Sequence, residues 1–284
     1  MPDSLLAADE PVPVTVYNED GSSPILIVAD HAGNFMPRAL FRLGLPEAEC
    51  QRHIAWDIGI AAVCRLVAGA IDATFVQQNY SRLVIDCNRV PGSETSIPEI
   101  SELTAVPGNV RLSEARKAAR LREIFRPYHD RIEMLLDRRR RAGQPVALVA
   151  MHSFTPVFKD VARPWHVAVL YNRDPRFAHL LMAELQREAG LVVGDNEPYS
   201  VTDATDYTIP VHGERRGLHH LAVEIRQDLI ADDAGQRAWA TRLARLLPQA
   251  YQRLVVEEAL RAGPGEVASE ILDPPGMGES GLPE

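Results

Sequence analysis

No apolar run in this chain of 284 residues approaches the ~18 residues that a membrane-spanning helix needs. The start, Met1-Pro2-Asp3-Ser4, has neither the basic region nor the apolar core of a signal peptide, so a cytoplasmic protein is expected. Cysteine is scarce. Cys50, Cys64 and Cys87 cannot all pair with one another and none forms a Cys-x-x-Cys, which points to reduced thiols. Positive charge is not in excess either. A net charge of -9 and a pI near 5.5 argue against nucleic acid or an anionic membrane as the main partner. Also missing are a Walker-type phosphate loop, a G-x-G-x-x-G after a strand, and the G-x-S-x-G elbow of serine hydrolases.

What is present begins with Ile25-Leu26-Ile27-Val28-Ala29, an apolar, largely β-branched run that reads as a strand buried on both faces. It stops on Asp30 and His31, with Gly33 suited to a sharp turn or a close approach. In open α/β sheets, ligands bind beyond the carboxyl ends of the strands. The pattern recurs where Val146–Met151 runs into His152-Ser153, and where Leu221-Ala222-Val223 runs into Glu224-Ile225-Arg226. Three strands ending on His or Glu predict one shared site.

Further strands are expected at 14–17, 74–76, 83–86, 166–170 and 191–193. Helices are expected over 47–70, 113–141, 175–188 and 234–260. Ser113 suits a helix cap, Pro127 predicts a kink, and Arg138–Arg141 suits a solvated helix C-terminus. A proline-containing loop at 90–108 has a length common over active sites. Residues 1–13 read as a loose arm, 263–284 as a disordered tail, and 14–262 as one α/β domain.

His31 and His152 at strand ends suit a divalent metal, although a single such histidine is usually just hydrogen-bonded. The third ligand is open among Asp57, His53, Asp30 and Asn34, with His53 and Asp57 four apart on an expected helix. Glu224 needs a partner, a ligand or a proton if buried, and Arg226 on the same strand face could be that partner. Arg82 and Arg89, with Asn88 beside the latter, frame the 83–86 strand. They suit an anionic small molecule, unless Asp86 simply pairs with them.

The series Asp30–Asn34, Trp56–Gly59, Tyr80–Arg89, Met151–Phe154, Asn196–Tyr199 and Glu224–Leu229 resembles the N-formylglutamate amidohydrolase family over about residues 14–262. The resemblance implies a single-domain three-layer α/β/α sandwich with a mixed central sheet, similar to zinc carboxypeptidases and aspartoacylases. It implies one zinc ion, a glutamate general base and an Asn-Arg pair that grips a substrate carboxylate. Carried over, His31 and His152 are metal ligands, Glu224 is the base, Arg82 polarises the carbonyl, and Asn88-Arg89 holds the substrate, helped by Arg226. Tyr207 and His212, on a Gly/Pro-punctuated loop, would close over it, unless Tyr207 is simply a core or surface tyrosine. The departure is Asn34, where carboxypeptidase-like enzymes place glutamate. Either Asp57 supplies that carboxylate, the preferred reading, or metal binding is weak. The implied reaction is hydrolysis of an N-formyl or N-acyl amino acid, N-formylglutamate first. Another N-acyl or peptidoglycan-type amide, or a binding protein that has lost its metal, are the other readings.

Overall fold

Seven strands form the central sheet: β1 (Val14–Tyr17), β2 (Ile25–Ala29), β3 (Thr74–Gln78), β4 (Ala147–Phe154), β5 (Val167–Leu170), β6 (Val193–Asp195) and β7 (His219–Arg226). The computed structural model describes residues 4–262. The strand order is β1-β3-β2-β4-β7-β5-β6. β3, β2, β4 and β7 run parallel to one another, β1 is antiparallel to β3, and β5 is antiparallel to β7, so the sheet is mixed. The central strands carry unbroken apolar runs because both of their faces are covered. β2 is buried at every position.

Alternation along the strands splits the core in two. Ile25 and Ile27 face one side, with helices α1 (Ile60–Ala70), α4 (Arg176–Leu185) and α5 (Asp233–Ala262). Leu26 and Val28 face the other, with Ile132 and Leu135 of α3 (Arg126–Arg141). Helices on both faces of a mixed sheet make the three-layer α/β architecture expected.

Several local expectations change. The long charged helix is α2 (Glu114–Arg120), a π turn at Leu121–Phe125, then α3, and Ser113 caps it by accepting from the Arg116 amide. Pro127 therefore falls in the first turn of α3, just after the π turn, and the helix continues through it without breaking. Arg139 is not solvated. It is buried and donates to the carbonyls of Ser23 and Gly21 and to the Thr74 hydroxyl, tying α3 to the sheet. Leu83–Asp86 is not a strand. The Ser81 hydroxyl and carbonyl take the Leu83 and Val84 amides, curling the segment into turns, and its apolar side chains fill the core without a strand neighbour.

The expected 47–70 helix is only a turn at Glu47–Cys50 and then α1. Gly59 separates them with φ +82, where an added Cβ would meet the Ile230 carbonyl at 2.2 Å. Gly33 has an ordinary φ and serves a close approach, its missing Cβ falling 2.1 Å from the Asn79 carbonyl oxygen. Residues 4–13, expected to be loose, are held down: Glu123 accepts from the Leu5 and Leu6 amides, and the Tyr80 hydroxyl donates to the Pro11 carbonyl. The expected tail at 263–284 lies outside the described residues. Among those described, no helix is long and apolar enough to cross a membrane.

Candidate metal centre and cavity

β2, β4 and β7 are parallel neighbours, so their carboxyl ends meet at one edge of the sheet, and His31, His152 and Glu224 meet there too. In the pairing of β4 with β7, Glu224 stands directly opposite His152. Asp57 arrives from the side. The interruption of the helix before α1 frees it from helical spacing, and its amide donates to the His31 carbonyl at 2.8 Å, fixing it across the strand end. His53 and Asp57 thus share no helix face. His53 lines the cavity with Nε2 3.5 Å from Glu102. Asn34 lies elsewhere, its amide bonded to Gln51 and the Cys50 carbonyl.

The two imidazoles face the same carboxylate. His31 Nε2 donates to Asp86 at 2.8 Å, and its Nδ1 stands 3.5 Å from Asp57 Oδ2 with no hydrogen-bond partner. His152 Nε2 stands 3.3 Å from Asp30 Oδ2, and its Nδ1 is 3.0 Å from the same Asp57 oxygen. One ligand atom from each of His31, Asp57 and His152 lies within 4.8 Å of the others, and all three residues are buried. His31, which gives its outer N–H to Asp86 and turns Nδ1 inward, is oriented as a metal ligand. The donor set of two imidazoles and a carboxylate suits zinc and leaves a fourth position open.

Charge is concentrated here. Burial opposes ionisation of Asp57 and Asp86, yet His31 and His152 hold the first, and Arg82 and His31 the second, below the usual carboxylate range. Asp30 sits at about 2 despite burial, because His152 and the Thr208 hydroxyl stabilise its anion. Burial and Arg82 oppose protonation of His31, but Asp86 and Asp57 outweigh them and raise it. Such a group of acids calls for compensating cations. Glu224 goes the other way: burial lifts it to about 7, and its Oε2 has no hydrogen-bond partner.

The cavity in front of this group has a volume of about 420 Å³. Arg82 lines it, but Nε and Nη2 both donate to Asp86 Oδ2, and Nη1 stands 3.6 Å from Asp57. The pairing of Arg82 with Asp86 considered from sequence therefore exists. Asn88 lines the wall as a clamp, donating to Asp206 and accepting the Tyr207 and Thr208 amides. Arg89 donates through Nη1 to the Asn88 and Thr205 carbonyls, 3.7 Å from Asp206. Its Nε and Nη2 have no partner among the described residues.

Three expected substrate contacts lie away from the cavity. Arg226 turns to Asp228 and to the Arg163 and Trp165 carbonyls, because its strand ends there and the next turn offers a carboxylate. It does not pair with Glu224. Tyr207 and His212 pack with Phe125 and His129 behind the site. His129 donates through Nε2 to the Cys87 carbonyl, so its Nδ1 accepts from His212 Nε2 at 3.0 Å. Tyr199, the last residue of the Asn196–Tyr199 motif, also lines the cavity. The buried Arg163 lies 4.8 Å over its ring and donates to its hydroxyl. Nothing in the spacing marks Arg163, 36 residues away.

Fold and site together define an α/β protein with a buried histidine–carboxylate–histidine group at the carboxyl ends of its parallel strands. The model of the N-formylglutamate amidohydrolase family matches residues 23–231, and the chain belongs to that family. Among solved structures, gene product Atu2144 from Agrobacterium tumefaciens is 36% identical over 88% of this chain and 99% of its own, with a TM-score of 0.85. An N-formylglutamate amidohydrolase from Ralstonia eutropha is 20% identical over 89% of this chain and 99% of its own, with a TM-score of 0.63, and shares the fold. No curated protein matches the sequence.

Proposed function

We propose that the protein is a zinc-dependent amidohydrolase that cleaves the amide bond of an N-formyl or other N-acyl amino acid, N-formylglutamate being the substrate that the family's name puts first. The observation that carries this reading is the paired arrangement of His31 and His152. Each turns Nδ1 to Asp57 and Nε2 to a second carboxylate. His31, Asp57 and His152 would hold the ion, and the chemistry it supplies is Lewis acidity.

The other steps belong to side chains of this chain. Glu224, at about 7, exchanges a proton near neutrality. It takes one from the attacking water and returns it to the leaving nitrogen. A C–O bond forms as the C–N bond breaks, giving a carboxylate, formate for a formyl substrate, and the free amine. Arg82 adds positive charge beside the oxyanion that develops at the carbonyl. Arg89 takes the α-carboxylate, its unpartnered nitrogens offering the planar fork that suits a carboxylate. Asn88 acts indirectly, by fastening the 205–208 loop against Arg89.

The experiment is an assay of zinc-loaded protein on N-formylglutamate and related N-acyl amino acids. Hydrolysis that stops with a chelator and returns with zinc is expected. Hydrolysis indifferent to chelation, or none on any N-acyl amino acid, would end this reading.

A further inference from the structure

One row deeper into the sheet than His152 and Glu224, the cavity changes character. Ala150 of β4 pairs in register with Ala222 of β7, which pairs with Leu170 of β5. Strand side chains alternate, so Ala150 and Ala222 share the faces of His152 and Glu224. All three line the cavity, and Val201 and Ile209 line it too. Two alanines where the sheet could carry larger side chains leave room, and what surrounds that room is aliphatic and buried.

Two arginines line the cavity, and one of them, Arg82, is committed to Asp86. Arg89 keeps free donors, enough for one carboxylate. A second carboxylate on the substrate would meet no unengaged arginine and would have Glu224 and Asp206 as neighbours in the wall.

The same loop sets what enters. Arg89 bonds to Thr205, and Asn88 binds the amides of Tyr207 and Thr208, so the carboxylate anchor is tied to segment 200–209, which carries the Val201 and Ile209 walls. The α-carbon of an amino acid anchored by its carboxylate stands one bond from that carboxylate and carries the side chain. A formyl group, with only hydrogen beyond its carbonyl, has nothing to place in the chamber.

We infer that the aliphatic chamber formed by Ala150, Leu170, Val201, Ile209 and Ala222 receives the amino-acid side chain, and that the substrate class is N-formyl amino acids with uncharged, apolar side chains. This rests on the amidohydrolase reading above and narrows its substrate.

The test compares kcat/KM of the zinc-loaded protein on N-formylnorleucine, N-formylmethionine, N-formylglutamine and N-formylglutamate, with N-hexanoylglutamate as a probe of the acyl side. Binding of each to the Glu224→Gln protein is measured by calorimetry. The norleucine and methionine compounds are expected to exceed N-formylglutamate by about tenfold or more, the scale at which a hydrophobic pocket discriminates. Val201→Lys, which adds a cation to the wall, is expected to narrow that gap severalfold. Preference for N-formylglutamate over both apolar compounds would overturn the inference and leave the amidohydrolase reading standing. A gain from lengthening the acyl chain instead of the side chain would also overturn it. Neither hydrolysis nor binding of any compound would remove both.

Discussion

Asp86 holds His31 by its Nε2 at 2.8 Å, and the same carboxylate takes two donors from Arg82 through its other oxygen. The histidine's free Nδ1 is thereby fixed toward Asp57, and an arginine is fixed beside the same site. Asp86→Asn keeps the shape but weakens both links. Outer carboxylates on ligating histidines are typically worth 10–100-fold in metal affinity. A fall of about that size in zinc affinity is expected by chelator competition, and unchanged affinity would remove Asp86 from the metal's support.

Glu224→Gln preserves size and hydrogen bonding but cannot accept the water's proton. Zinc content should stay the same while kcat falls by ~10²–10⁴, the usual contribution of a general acid–base group. Loss of bound zinc in this variant would make Glu224 a ligand instead.

Arg89→Lys keeps the charge and loses the fork. KM for an N-formyl amino acid should rise by about tenfold or more, while its α-carboxamide analogue should be little affected. Equal effects on both compounds would place the carboxylate elsewhere.

The part of this account legible in the sequence is the part that short-range patterning controls. The apolar run Ile25–Ala29 could only be a buried strand, and its end necessarily delivers His31 to a sheet edge. His152 and Glu224 follow by the same logic, and their neighbourhood needs only that β2, β4 and β7 be adjacent. Asp57 was harder, because helical spacing across 47–70 pairs it with His53. Gly59 and the bond from the Asp57 amide to His31, 26 positions apart in number, decide otherwise. Leu83–Ile85 shows the limit of an apolar run: burial is legible, but strand geometry needs a neighbour to pair with. Arg226 and Arg82 looked alike as cations, and only the tertiary partners Asp228 and Asp86 separate them.

Stability should depend on acid through His129 and His212. Burial depresses them to about 4 and about 3 in the folded protein, and they form a neutral stacked pair. An unfolded histidine titrates near ~6.5, so below that pH the unfolded chain binds protons that the folded chain does not. Their contribution is intact above ~6.5 and falls by ~1.4 kcal/mol per group per pH unit as pH drops toward 4. Thermal melts of the wild type and His212→Gln between pH 7 and pH 4.5 should differ in slope by about one proton. Parallel slopes would contradict the buried neutral pair.

If His31, Asp57 and His152 share one divalent ion, metal analysis of purified, dialysed protein finds about one zinc per chain in the wild type, and most of it is lost in Asp57→Asn and His152→Ala variants that still melt cooperatively. A folded wild type that binds no divalent metal, or an Asp57→Asn protein that keeps a full equivalent, would contradict that sharing.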